Sequence, residues 1–297
     1  MKTVYIEHSY LVNENNWDKI GAFFSGHPDF EFIASDWTVI EISQATDKEQ
    51  AHRRVDFIES LNPKWLLIKT EIQKFEVKSF LYRYLYCSMA PYSVFTDQFH
   101  KAVAVSIGRK PDEGCKLWNF VEAYIDDPDI LAPIKAQKEI YLQCFGKLAS
   151  MKKKDIQKKD KEIIGHWIKD VLPDTKPNGC SLNDVDKQQA IALCLSNVPK
   201  FLEECPYFNF ENTLFDIRFQ DKERKSQESD VIDLEHACCA VPYCDFVVTG
   251  DRYLKSISDR ANVSLKMAKI FSCVSDLRIF LSKNSGNPEI SGCYGSP

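Results

Sequence analysis

Asp233 and Asp251 stand eighteen positions apart in the stretch from Asp230 to Tyr253, a spacing that suits a site for hard cations and phosphates. The first lies in the opening turn of a helix, where the partial positive charge of the helix end favours an anion. The second follows a short apolar run, Asp245 to Val248. Two more carboxylates join them. Glu7 ends the run Lys2 to Ile6, and Glu41 interrupts the apolar Val39-Ile40-Glu41-Ile42. An apolar run is a costly place for a carboxylate without a partner. Each acid also has a plainer reading. Asp233 and Asp251 suit helix caps, Glu7 a strand end and Glu41 a surface rim. Four acids drawn to one edge repel one another unless cations neutralise them. Ligands that are all oxygen select Mg²⁺ or Mn²⁺, which lower the pKa of a bound water and offset charge on a phosphoryl centre.

Such a site needs a frame. The runs Lys2 to Ile6, Phe30 to Ala34, Trp65 to Ile68, Asp245 to Val248 and Lys269 to Phe271 read as short buried strands. Helical patterns separate them: Trp17 to Phe24, a helix capped by Ser35, Lys48 to Ser60, Thr70 to Tyr86, 230–240 and a helix from Arg252. This alternation predicts a parallel sheet covered on both faces. In an open sheet of that kind ligands bind beyond the carboxyl ends of the strands, where Glu7 and Asp251 fall. From Cys87 to about Gly179 the pattern turns helical, and Asp174 to Gly179 reads as a linker. Residues 184–204 read as helix, Gln220 to Ser229 as a charged loop, and Ser275 as the cap of a last helix through Leu281. The predicted organisation is one α/β domain made of 1–86 and 182–285, a helical insertion at 87–181 and a flexible tail at 286–297.

Composition sets the outer bounds. Hydrophobic content of 44% and charged content of 27% belong to an ordinary globular chain, long enough at 297 residues to bury a sizeable core. No segment approaches the roughly eighteen apolar residues of a membrane helix. Glu7 comes too early for a signal peptide, so the cytoplasm is the expected compartment. Eleven cysteines without regular spacing suit a reducing environment rather than a disulfide framework. Cys238, Cys239 and Cys244 form the one cluster to weigh against zinc. Without a CxxC pair, and with adjacent helical residues pointing about 100° apart, buried small hydrophobes are the better reading.

At this point the chain resembles the PIN-domain nucleases, a compact α/β family with an acidic metal site. The resemblance is carried by Tyr5-Ile6-Glu7-His8-Ser9, by Ser35-Asp36-Trp37-Thr38 leading to Glu41, and by Asp233 with Thr249-Gly250-Asp251. Two positions depart from the family pattern: Glu7 replaces the usual Asp, and Ser9 the usual Asn. The resemblance implies a PIN-like three-layer fold with a central parallel sheet, plus the helical insertion. It implies phosphodiester hydrolysis, of RNA rather than DNA, with Mg²⁺ or Mn²⁺ held by Glu7, Glu41, Asp233 and Asp251. Ser9 and Thr249 would support that site, Thr249 by positioning a water or phosphate. His236 would reach it or serve as a structural hydrogen-bond partner. The family also implies a toxin or antiviral defence setting and, with it, a homo-oligomer or a regulatory protein partner.

The net charge of −5 does not advertise nucleic-acid binding. The local exception is Lys152, Lys153, Lys154, Lys158 and Lys159 in the insertion, which could grip a phosphate backbone or simply form a solvated helix face. Tyr82, Tyr84 and Tyr86 do not share one helix face, so core packing and mixed surface are favoured over base stacking. Two alternatives to the nuclease stand beside it. One is a catalytically impaired PIN-like module that binds nucleic acid or protein. The other is a phosphatase using the same acids, for which no Gly-rich loop supplies a closed phosphate pocket.

Overall fold

The computed structural model describes residues 1–45, 47–89, 93–103, 114–126, 139, 164–165, 168–221, 228–265 and 267–284. Six strands form one sheet: β1 (Lys2–Ile6), β2 (Phe30–Ala34), β3 (Lys64–Leu66), β4 (Phe95–Thr96), β5 (Phe246–Val248) and β6 (Lys269–Phe271), in the order β4-β3-β2-β1-β5-β6. All neighbours are parallel except β3 and β4. The molecule is thus an α/β protein with a mostly parallel mixed sheet flanked by helices. Among the described residues, no helix is long and apolar enough to cross a membrane.

Period-two alternation sorts the strand residues onto two cores. Tyr5, Ile33, Leu66, Val247 and Ile270 face one layer, with residues of the helices Lys69–Tyr86, Pro206–Gln220, Glu228–Ala240 and Arg252–Leu265. Val4, Ile6, Phe32, Trp65, Phe246 and Val248 face the other, against Trp17–Gly26, Asp36–Ser43, Lys48–Ser60 and Val274–Asn284. Burial on both faces explains why the strands read as continuous apolar runs instead of alternating ones.

The sequence-based expectations need four corrections. The sheet is not wholly parallel, because Phe95 and Thr96 pair antiparallel with Leu66 and Trp65 inside the stretch expected to be helical. A two-residue strand leaves no period to detect. Strand β3 begins at Lys64 and ends at Leu66, since Ile68 already serves as the N-cap of the next helix. The helix Pro206–Gln220 had no counterpart in the expectation. Finally, the last helix starts at Val274, so Ser275 lies within it and does not cap it. The five insertion lysines, Lys152, Lys153, Lys154, Lys158 and Lys159, lie outside the described residues, as does the tail.

Strand order positions the site. Chain progress runs outward from β1 through β2 and β3 on one side, and from β5 to β6 on the other. The direction of winding therefore reverses between β1 and β5. In open α/β sheets the crevice at such a reversal, outside the carboxyl ends of the strands, is where ligands bind. Glu7 follows β1 and Thr249-Gly250-Asp251 follow β5, and the two strands are bonded through Ile6 and Val248.

Candidate acidic site at the carboxyl edge of the sheet

Glu7 is buried and N-caps the short helix His8–Leu11. Its Oε1 accepts the Ser9 N–H at 2.8 Å, and its Oε2 accepts from the Ser9 hydroxyl and, at 3.4 Å, from Thr249 Oγ1. The Thr249 hydroxyl in turn accepts the Asp251 N–H at 3.1 Å. Thr249 is therefore a strut between the two acids that leave the central strands. Gly250 is required for the close approach, because a Cβ there would lie 2.9 Å from Ser9 Oγ.

Asp251 also caps a helix: its Oδ1 accepts the Leu254 N–H at 2.8 Å, at the start of Arg252–Leu265. Asp233, on the helix Glu228–Ala240, lies within electrostatic reach of the other three. Burial raises its pKa from 3.8 to about 7; nearby His236 lowers it, and repulsion from Glu7, Asp251 and Glu41 raises it further. One carboxyl group thus feels the other three, which places the four acids in a single electrostatic neighbourhood.

Two imidazoles address Glu41. His236 Nε2 lies 3.1 Å from Glu41 Oε2, and His8 Nδ1 lies 3.7 Å from the same oxygen. The rings differ in charge. Burial pulls the His8 pKa down to about 4, so at neutral pH it is no partner in an ion pair. Burial also opposes the charging of His236, but Glu41, with Glu7 and Asp233, outweighs it and lifts its pKa to about 8. A protonated His236 donates from both ring nitrogens, to Glu41 through Nε2 and to the Tyr5 oxygen through Nδ1. The Tyr5 hydroxyl, accepting from His236, can then donate a hydrogen bond to Ser35 Oγ, 3.1 Å away.

The structure thus brings together Glu7, Ser9, Thr249 and Asp251 by direct contact, and Glu41 with His236 by another. Asp233 joins both groups through its field. Oxygen donors of this kind suit a hard cation. Their placement, however, gathers no three His, Cys, Asp or Glu side chains around one point among the described residues. His236 supplies from within part of the positive charge that the crowded acids demand. The three cysteines weighed against zinc are buried, with thiol pKa values pushed well above the ordinary value by burial. They pack as small hydrophobes. A void of about 10 Å³ lies behind the acids, lined by Tyr5, Glu7, His236, Thr249 and Ser258 among others. That is room for about one water.

Tyr5 and His8 were not foreseen at this edge. His8 directly follows Glu7, and His236 lies three positions after Asp233 on one helix face, so both carried a local signal. Tyr5 carried none, being brought in by tertiary packing. No family model matches the chain, and neither a curated protein nor a solved structure matches it.

Proposed function

We propose that this chain is a metal-dependent nuclease that hydrolyses phosphodiester bonds. What supports the reading is that Glu7, Glu41 and Asp251, from three separate segments, lie within electrostatic reach of Asp233 on a fourth, near the edge where the winding of the sheet reverses. Burial first, and then the neighbouring acids, raise the Asp233 pKa to about 7, a perturbation of the kind that marks functional sites. Glu7, Asp233 and Asp251, with Glu41, would hold Mg²⁺ or Mn²⁺. The ion would supply an activated water and charge compensation at phosphorus. The protein's own part is positioning. Ser9 and Thr249 fix the Glu7 carboxylate, and the helix beginning at Arg252 fixes Asp251. RNA as the substrate comes from the resemblance to PIN-domain nucleases. A phosphatase fits less well, since no Gly-rich loop supplies a closed phosphate pocket.

One observation favours a second reading, a PIN-like module that binds nucleic acid or protein without cleaving it. Glu41 is already engaged by His236, and the donors do not converge as they stand. Cleavage of labelled RNA and single-stranded DNA in Mn²⁺ or Mg²⁺ separates the two. Metal-dependent cutting by the wild type, lost in the Asp233→Asn/Asp251→Asn double variant, supports the nuclease. Equal cutting by that variant, or none by either protein, removes it and leaves the binding module.

A further inference from the structure

We infer that His236 is a positioning residue for Glu41, and that a closed circuit of hydrogen bonds from Ser35 through Tyr5 and His236 holds that carboxylate at the site. The inference deepens the nuclease reading and, for its effect on cleavage, rests on it. Its geometry stands apart from that reading.

The circuit begins and ends on one helix. Ser35 is the N-cap of Asp36–Ser43, and its backbone N–H donates to Thr38 Oγ1 at 3.3 Å. Its side-chain oxygen meets Tyr5 OH at 3.1 Å. Tyr5 stands in the central strand, 1% exposed, and its hydroxyl bonds His236 Nδ1. His236 Nε2 closes the circuit on Glu41, back on the helix that Ser35 caps. Every member except Glu41 is buried, and the imidazole ring is held at both nitrogens.

Glu41 needs such a hold. Its side chain turns about three torsions, and a free carboxylate would spread over many rotamers. His236 and Asp233 are one helical turn apart on the helix Glu228–Ala240. A single helix therefore delivers one acid of the site and the clamp for another, which fixes Asp233 and Glu41 relative to each other. Tyr5 adds the central strand to the same arrangement. Partners that orient site ligands in this way are worth roughly 10–100-fold when removed.

The test uses the full chain with His236→Ala, His236→Gln and Tyr5→Phe, in two arms. In the first, cleavage kinetics should show kcat reduced about 10–100-fold in His236→Ala, with KM little changed. His236→Gln keeps an amide donor for Glu41 and should recover much of the loss, and Tyr5→Phe should lose less than His236→Ala. In the second, nitrogen-edited NMR should show a slowly exchanging His236 ring proton that Glu41→Ala removes. Equal kcat in wild type and His236→Ala overturns the inference, as does a ring proton indifferent to Glu41→Ala. If His236→Ala does not fold, the Gln and Phe variants carry the kinetic arm. If the wild type cuts nothing, the nuclease reading fails and the ring proton alone decides the circuit.

Discussion

Two groups of carboxylates can be compared in this molecule, one at the edge of the sheet and one buried within a layer of helices. At the sheet edge, Glu7, Glu41 and Asp251 lie within electrostatic reach of Asp233, whose pKa rises to about 7 chiefly through burial. Behind them, in the layer of helices, Glu76, Glu211 and Glu235 each answer to specific donors. Glu76 accepts the Tyr207 and Phe208 N–H groups at 2.6 and 3.4 Å, and the Tyr243 hydroxyl. It therefore caps Pro206–Gln220 from the neighbouring helix Lys69–Tyr86. Lys69 bridges Glu211 at 2.9 Å and Glu235 at 3.5 Å, and Tyr207 OH donates to Glu211 at 3.0 Å. The second group ties three helices together. The helix-layer acids join elements of the fold to one another, whereas the sheet-edge acids, held by Ser9, Thr249, His236 and the Leu254 N–H, stand where open sheets bind ligands.

The sharpest way to break this contrast is to neutralise one member of each group. Asp233→Asn should lower cleavage by at least about 100-fold, since a charged group that meets a metal or a phosphoryl centre is worth several kcal/mol. The same change relieves repulsion in the folded state, so stability to urea should rise, on the order of 1–3 kcal/mol. Glu76→Ala should do the reverse. It strands two buried helix N–H groups and a tyrosine hydroxyl, costing about 3 kcal/mol in urea unfolding, while the folded fraction keeps its cleavage rate. A stabilised, active Asp233→Asn protein would erase the distinction.

Asp251 belongs to both kinds at once and divides the contrast within one side chain. Asparagine caps helices about as well as aspartate, whereas alanine costs about 1 kcal/mol. Asp251→Asn should therefore abolish cleavage with stability unchanged, and Asp251→Ala should lose both. Equal stability of the two variants by thermal unfolding would show that the bond to Leu254 contributes nothing.

The smallest effect is one of pH. Burial raises Glu76 from 4.5 to about 8, against the pull of Tyr243, Tyr207 and Phe208. Between those values the folded chain keeps a proton that the unfolded chain releases. Stability from this group is thus full below 4.5 and falls as pH rises toward 8. Glu76→Gln, neutral throughout, should flatten that part of the profile. An unchanged slope in urea titrations at several pH values would mean that the carboxyl is already ionised at low pH.

How much of this was legible in the sequence follows from where the determinants lie. Lys2–Ile6, Phe30–Ala34 and Lys269–Phe271 were readable to the residue, because short apolar runs bounded by polar residues encode strands locally. The helix Pro206–Gln220 was not. Tyr207, Phe208, Phe210, Glu211, Leu214 and Arg218 are all buried in it, so its apolar residues follow no single face. Glu7 and Asp251 could be seen because strand ends are local features, and Glu41 because it interrupts an apolar run. Asp233 was expected in the opening turn of its helix, which begins instead at Glu228 and puts it in the second turn. The clamp on Glu41 could not, since Tyr5 and His236 are separated by 231 positions and meet only through the fold. Sequence pattern locates the charges, and packing decides which of them are already answered.

Calorimetric titration of the metal-free protein with Mn²⁺ tests the central contrast most directly, using wild type, Asp233→Asn and Glu76→Gln. The expected result is saturable binding to wild type, retained in Glu76→Gln and weakened at least about 10-fold in Asp233→Asn, as for a lost ligand contact. No uptake by the wild type, or equal affinity in wild type and Asp233→Asn, would contradict a cation site built from the sheet-edge carboxylates.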